Sequence, residues 1–265
     1  MYRWCVKHGI LAMLLWALPV SIICFFMFYF IGIPLYYWAL FVAFETFTAW
    51  GFVLSCANQV VVKASKSLND DCDPYPLMEA TNELLSNTLI SKTRRQVLFI
   101  NKAVALREIG EFEGCFEILK NLNIDKYASV PIYKILYYMN LSDAYMNLNK
   151  MTESELMLRK ANQIFQDARL SKRNKFIFER YLKLNQFAIE FKNGIYDGME
   201  EFLLALNKEA LSKRFLISSN MATVELYLKT NKTDIAKEYL QFVIVNGNKL
   251  HDAARAKEIM AAIEE

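Results

Sequence analysis

His251 and Asp252 stand side by side near the end of a 265-residue chain whose only other histidine is His8. A histidine beside a carboxylate can be oriented for proton transfer or can contribute to a metal site, but zinc needs three or four converging ligands. The neighbouring sequence does not supply them. The pair follows Gly247-Asn248, so Asp252 is expected to cap the last helix and His251 to be exposed. No phosphate-cradling glycine loop, nucleophile elbow or cysteine–histidine pairing stands out. The chain does not read as an enzyme, and no catalytic residue, metal ligand or cofactor is expected.

A different chemistry is suggested by Glu45, a lone carboxylate in Phe41-Val-Ala-Phe-Glu-Thr-Phe-Thr-Ala-Trp50. Inside a membrane such a group costs about 2.5–3.5 kcal/mol on insertion scales and normally faces protein rather than lipid. If the chain folds back at Ile33, Ser21 and Glu45 are equally far from the bend and lie at similar depth. The simplest internal solution is a protonated Glu45 hydrogen-bonded to Ser21 or to a backbone carbonyl. The alternative is a polar or basic group on another membrane protein or on a second copy. A proton relay would need further ionisable groups in the apolar segments, which hold none. Thr46 and Thr48 offer additional interhelical hydrogen bonds.

The elements that must position Glu45 are legible in the charge pattern. Of 31 basic and 28 acidic side chains, only Arg3, Lys7 and Glu45 precede Lys63, and all four tryptophans fall in the same part. Residues 10–31 and 33–57 are each long enough to cross about 30 Å of hydrocarbon. Ile31-Gly-Ile-Pro34 reads as the tight turn between them, followed by the interfacial aromatics Tyr36, Tyr37 and Trp38. The first apolar run is too long for a cleaved signal peptide, and no small-residue cleavage pattern follows it. Val53-Leu-Ser-Cys56 is only faintly like a lipoprotein cleavage site and lies after a second apolar segment. Arg3 and Lys7 before the hairpin, with Lys63 and Lys66 after it, put both termini on the cytoplasmic side under the positive-inside rule. Five cysteines without paired spacing are expected to be reduced thiols.

Residues 63–75 read as a breaker-rich linker around Asn69-Asp-Asp-Cys-Asp-Pro-Tyr-Pro76. From 76 to 265 apolar residues recur at helical spacing, glycine and proline are scarce, and no strand-like alternation persists. Pro76 and Pro131 are expected to open helices. The fold class is therefore all-α, a two-helix transmembrane hairpin followed by helical hairpins. Three stretches align: Ala103-Val-Ala-Leu-Arg-Glu-Ile-Gly-Glu-Phe112, Ser142-Asp-Ala-Tyr-Met-Asn-Leu-Asn-Lys-Met151 and Val224-Glu-Leu-Tyr-Leu-Lys-Thr-Asn-Lys-Thr233. Each pairs a slim residue with a large apolar one three later, then Gly or Asn suited to a left-handed turn. Second helices follow at Cys115–Leu119, Ser154–Leu158 and Ala236–Leu240. A fourth copy lies around Asn185 to Leu206, with its turn at Gly194.

From about Lys92 to Gly247 this pattern resembles the tetratricopeptide repeat. The turn residues Gly110, Asn149, Gly194 and Asn231 are spaced wider than the family period of about 34. The resemblance implies an α-solenoid whose first helices line a concave surface that holds protein segments. It places Ile100, Val104, Arg107, Met139, Asp143, Asn147, Lys192, Met221, Glu225 and Lys229 on that surface. The last helix, Asp252 to Ile263, is an alternative occupant of part of the groove. Arg169, Lys172, Arg173 and Lys175 form a basic segment suited to anionic lipid headgroups or to a solvated connection between helices.

These readings lead to a membrane-anchored adaptor or scaffold that binds protein partners through the groove, in contact with the lipid bilayer. The rival is an accessory subunit of a membrane transport or secretion complex, recognised through the hairpin by another integral membrane protein. A lipid-facing assembly factor using the basic segment is a third reading. Nucleic acid is not expected as a partner. Low Gly and Ala with abundant Lys, Asn and Ile suit an AT-rich bacterium, hence the bacterial cell membrane as the expected location, with the repeat domain cytoplasmic.

Overall fold

Local chemistry sets several helix starts. Pro131 occupies the first turn of one helix, where its missing N–H costs nothing. The Ser171 and Ser212 hydroxyls each cap another, accepting from the backbone N–H of Asn174 at 3.3 Å and of Phe215 at 3.2 Å. The computed structural model describes residues 2–32, 34–87, 90–127 and 130–264. Among these residues the regular structure is entirely helical, and no strand occurs.

The helices are α1 (Tyr2–Lys7), α2 (Gly9–Ile31), α3 (Leu35–Lys66), α4 (Tyr75–Ser86), α5 (Lys92–Ile109), α6 (Phe112–Lys120) and α7 (Ile124–Tyr127). They continue with α8 (Pro131–Asn147), α9 (Met151–Asp167), α10 (Lys172–Lys192), α11 (Met199–Lys208), α12 (Lys213–Lys229), α13 (Thr233–Asn246) and α14 (His251–Glu264). A wide helical turn, Ser67–Asp71, follows α3. The stretch expected to be a linker is thus mostly helical, because no glycine or proline interrupts it before Pro74. Two compact units emerge, one of Met1–Ala64 with Ala80–Ser91, the other of Ser65–Glu79 with Lys92–Glu265. The division falls within α3, between Ala64 and Ser65, and again within α4, between Glu79 and Ala80.

In the first unit, α2 and α3 run antiparallel and are long and apolar enough to cross a membrane. Gly32 ends α2 at φ 75°, a conformation that favours glycine; Ile33, the expected pivot, lies outside the described residues. Aromatic contacts join the pair along its length. Phe28 meets Phe41, Phe25 meets Trp38, and Trp16 stacks on Phe52 at 6.0 Å. The Trp38 indole also donates to the Ser21 carbonyl at 3.1 Å.

In the second unit, the four aligned turn residues share one backbone state: φ is 97° at Gly110, 57° at Asn149, 79° at Gly194 and 57° at Asn231. The slim residues of the aligned stretches, Ala103, Ser142 and Val224, are buried, as are Cys115, Ser154 and Ala236 on the helices that follow. Small side chains allow close approach there. At the α8–α9 crossing the Ser142 and Ser154 hydroxyls each donate to the other's backbone carbonyl, at 2.8 and 2.9 Å. α10 departs from this pairing. It packs on α8 and α9, and α11 packs on α12, while Phe187 of α10 meets Phe202 of α11 edge-on at 4.6 Å. The last helix returns to the beginning of the array. α14 packs on α5 as well as on α12 and α13, and the turn before it is tied to Asp71 and Asp73 by Asn248 and Lys249.

This return explains the close approach at Gly110. A Cβ there would lie 2.6 Å from His251 Nδ1, and the Phe112 ring holds the imidazole edge-on at 5.3 Å. Gly110→Ala is expected to cost about 2 kcal/mol, from positive φ and from the collision together. Gly194→Ala, with a similar φ and nothing within 4 Å, is expected to cost about half as much. Parallel thermal melts by circular dichroism in detergent measure the difference; equal losses would remove the close approach as a cause.

Candidate functional site

Arg107 and Glu108 lie in the last turn of α5, and around them the second unit forms a cavity of about 360 Å³. α8, α10, α11, α12 and α14 supply most of its wall. Its lining combines apolar side chains, among them Phe187, Phe191, Met199, Leu203 and Met221, with charged ones.

Two guanidinium groups share one carboxylate. Arg107 donates to Glu108 at 2.5 Å, to Asp143 at 2.6 Å and to the Asn140 amide oxygen at 3.0 Å. Arg214 donates to the same Glu108 oxygen at 2.9 Å, to Asn69 at 3.1 Å and to the Tyr181 hydroxyl at 3.2 Å. α5, α8, α10, α12 and the turn after α3 are joined through these bonds. Farther round the wall, Arg255 pairs with Glu225 at 2.5 Å, and Ser218 donates to Asp252 at 3.2 Å.

Environment separates the three buried carboxyl groups. Burial works to raise Glu108, but Arg107 and Arg214 outweigh it, and the group ends below the ordinary glutamate range. Asp143 meets only Arg107, and burial pushes it above the usual aspartate value. Asp252 goes further. Burial, with Glu108 adding to it, raises Asp252 to about 6, against a Ser218 hydrogen bond and the more distant Arg255. Beside it, burial and then Arg255 lower His251, which favours a neutral imidazole.

Six residues named from the sequence lie on this wall: Arg107, Asp143, Asn147, Lys192, Met221 and Glu225. Four do not. Ile100 and Met139 are core residues, 1% and 6% exposed, because both belong to one apolar cluster with buried residues of α5 to α10. Val104 is half-buried away from the cavity, and Lys229 is exposed at the end of α12. The expected roles of His251 and Asp252 are also corrected. Asp252 sits inside the first turn of α14 and accepts from Ser218 rather than capping the helix, and His251 is half-buried against Gly110 and Phe112. Of the possible occupants, the start of α14 itself forms part of the wall.

Compared with protein-family models, curated proteins and solved structures, the chain matches none. Its candidate site therefore rests on its own geometry. Among the described residues no cluster of three or more His, Cys, Asp or Glu side chains could hold a metal ion.

Sequence reasoning missed Glu108, Arg214, Asn140 and Tyr181. One signal was present: Glu108 lies three residues after the fully buried Ala105, so a carboxylate occupies a core-facing helical position. Arg214 had no comparable local mark.

In the first unit, the structure brings Ser21 and Glu45 together. The Ser21 hydroxyl donates to Glu45 Oε2 at 2.6 Å, and the two residues are 7% and 6% exposed. Thr46 and Thr48 do not bridge the helices. Their hydroxyls donate to the carbonyls of Val42 and Glu45 on the same helix, each at 2.8 Å, as helical threonines commonly do. All five cysteines are unpaired. Arg169, Lys172, Arg173 and Lys175 are exposed where α9 passes into α10.

Proposed function

We propose that this protein is a membrane-anchored adaptor whose second unit holds a segment of a partner protein in the cavity between its helices. The observation that carries the reading is the cavity wall, where apolar and charged side chains together line one space of about 360 Å³. A wall of that kind can bind an apolar side chain and orient a polar one. The two long apolar helices support the anchor, since Gly9–Ile31 has a mean hydropathy of 2.5 with 6% of it buried. So much exposed apolar surface calls for lipid rather than water. Arg3 and Lys7 before α2, with Lys63 and Lys66 after the apolar part of α3, favour both ends on the cytoplasmic side. Anchoring then raises the effective concentration of the held segment at the membrane.

The Ser21–Glu45 bond bears on the rival reading, recognition through the hairpin. A carboxylate already hydrogen-bonded within its own helix pair has less need of an external partner. Co-purification from membranes in mild detergent, read by quantitative mass spectrometry, separates the two. Asn147→Trp, which fills the cavity mouth, is expected to lower captured partners at least tenfold, and Glu45→Leu to leave them within about twofold. The reverse pattern would hand recognition to the hairpin and defeat the adaptor reading.

A further inference from the structure

We propose that the cavity selects a partner segment by a lysine or arginine side chain seated on Asp252, with an apolar neighbour against Phe187 and Met221. This rests on the adaptor reading and specifies the chemistry of what is held.

Charge complementarity within the cavity carries the inference. Three guanidinium groups, Arg107, Arg214 and Arg255, face four carboxyl groups, Glu108, Asp143, Glu225 and Asp252. Every guanidinium is engaged by a carboxylate within 2.9 Å. Three of the four carboxyl groups are likewise held by a guanidinium. Asp252 is the one that meets no cation at ion-pair distance among the described residues, and its contact is the neutral hydroxyl of Ser218. Lys192 also lines the site but is exposed at the rim. With His251 neutral, the interior has room for one more positive charge.

The shape agrees with a side chain on a peptide. About 360 Å³ is near the lower end of ligand pockets, enough for a long aliphatic stem with a charged tip and one apolar neighbour. Such a stem can lie along Met221 and Phe187 while its tip reaches Asp252. Asn185 supplies a backbone contact. Its Nδ2 is buried on the cavity wall without an acceptor, and a peptide carbonyl would satisfy it.

Binding should depend on pH. The ionisable groups lining the cavity with Asp252 are Arg107 and Glu108 from α5, Asp143 from α8, Tyr181 and Lys192 from α10, Arg214 and Glu225 from α12, and His251 and Arg255 from α14; α13 contributes none to the wall. Because Asp252 titrates at about 6, the cation-binding carboxylate is present above that value and lost below it. An incoming cation lowers the midpoint further.

The test uses the full chain in detergent and three pools of fluorescein-labelled heptapeptides, with uncharged randomised flanks and a central Lys, norleucine or Glu. Anisotropy titration at pH 7.5 is expected to show the lysine pool bound at least tenfold more tightly than the norleucine pool, equivalent to about 1.4 kcal/mol. In Asp252→Asn the ratio should fall to about one. Binding of all pools without preference for lysine, or a preference for glutamate, overturns this inference and leaves the adaptor reading standing. Failure to bind any pool overturns both. Should the variant not fold, the comparison of pools on the unaltered protein still decides the matter.

Discussion

Replacing Glu108 with alanine is expected to destabilise the helical array by about 3–5 kcal/mol, the range for removing one member of a buried, hydrogen-bonded charge group. Glu108 neutralises two guanidinium groups at once. Without it Arg107 keeps Asp143, but Arg214 retains only the neutral Tyr181 and Asn69, an uncompensated charge within the protein. For a domain of roughly 200 residues each kcal/mol moves the melting temperature by about 2–4 °C, so a fall on the order of 10 °C is expected. Glu108→Gln keeps the shape but not the charge and should lose nearly as much. A loss below about 1 kcal/mol in both variants would mean that water enters and solvates Arg214. The pH dependence has a definite sign. Since Glu108 titrates below its unfolded value of 4.5, its contribution is present above that value and disappears as pH falls through the folded one.

Asp252→Asn should do the opposite and stabilise the protein at neutral pH. The carboxyl titrates at about 6 in the fold against 3.8 when unfolded, a gap worth at most about 3 kcal/mol. Because the folded value is the higher one, the favourable contribution of this group is complete below 3.8 and is lost as pH rises through about 6. At pH 7.5 the unaltered protein therefore bears the cost of an ionised, poorly compensated carboxylate. Asparagine removes that charge and can still accept from Ser218. Melts of both proteins between pH 4 and 8 are expected to converge at the acid end and to separate at the neutral end, with the variant higher by several degrees. A variant that is less stable at pH 7.5 would show that a cation already compensates Asp252. A stabilised variant that also loses the lysine preference would identify Asp252 as a group kept for binding at the expense of stability.

Features governed by neighbours a few residues apart could be read without coordinates. Gly110, Asn149, Gly194 and Asn231 mark left-handed turns because Gly and Asn tolerate positive φ. Ser21 and Glu45 meet because two antiparallel helices joined by a tight turn place residues equally distant from the bend at equal depth. Thr46 and Thr48 were misassigned for a local reason as well, since a helix's own carbonyls are always within reach of a threonine hydroxyl. The division between an apolar first part and a charge-balanced remainder was legible from Arg3, Lys7 and Glu45 alone. The identity of the residues 63–75 was less so, because Asn69-Asp-Asp favours turns yet does not prevent a helical continuation.

The sequence by itself therefore determined an all-helical chain, two helices long and apolar enough to span a membrane, and the positions of the inter-helix turns. Only the tertiary structure decided that Arg214 would meet Glu108 across 106 positions, that Ile100 and Met139 would join one buried core, and that α14 would return to α5 and bring Asp252 into the cavity. Helical periodicity and turn chemistry act over a few residues, and each stretch carries them in its own composition. Whether a charge is buried, and whether it finds a counter-charge there, depends on elements that only the completed fold brings together.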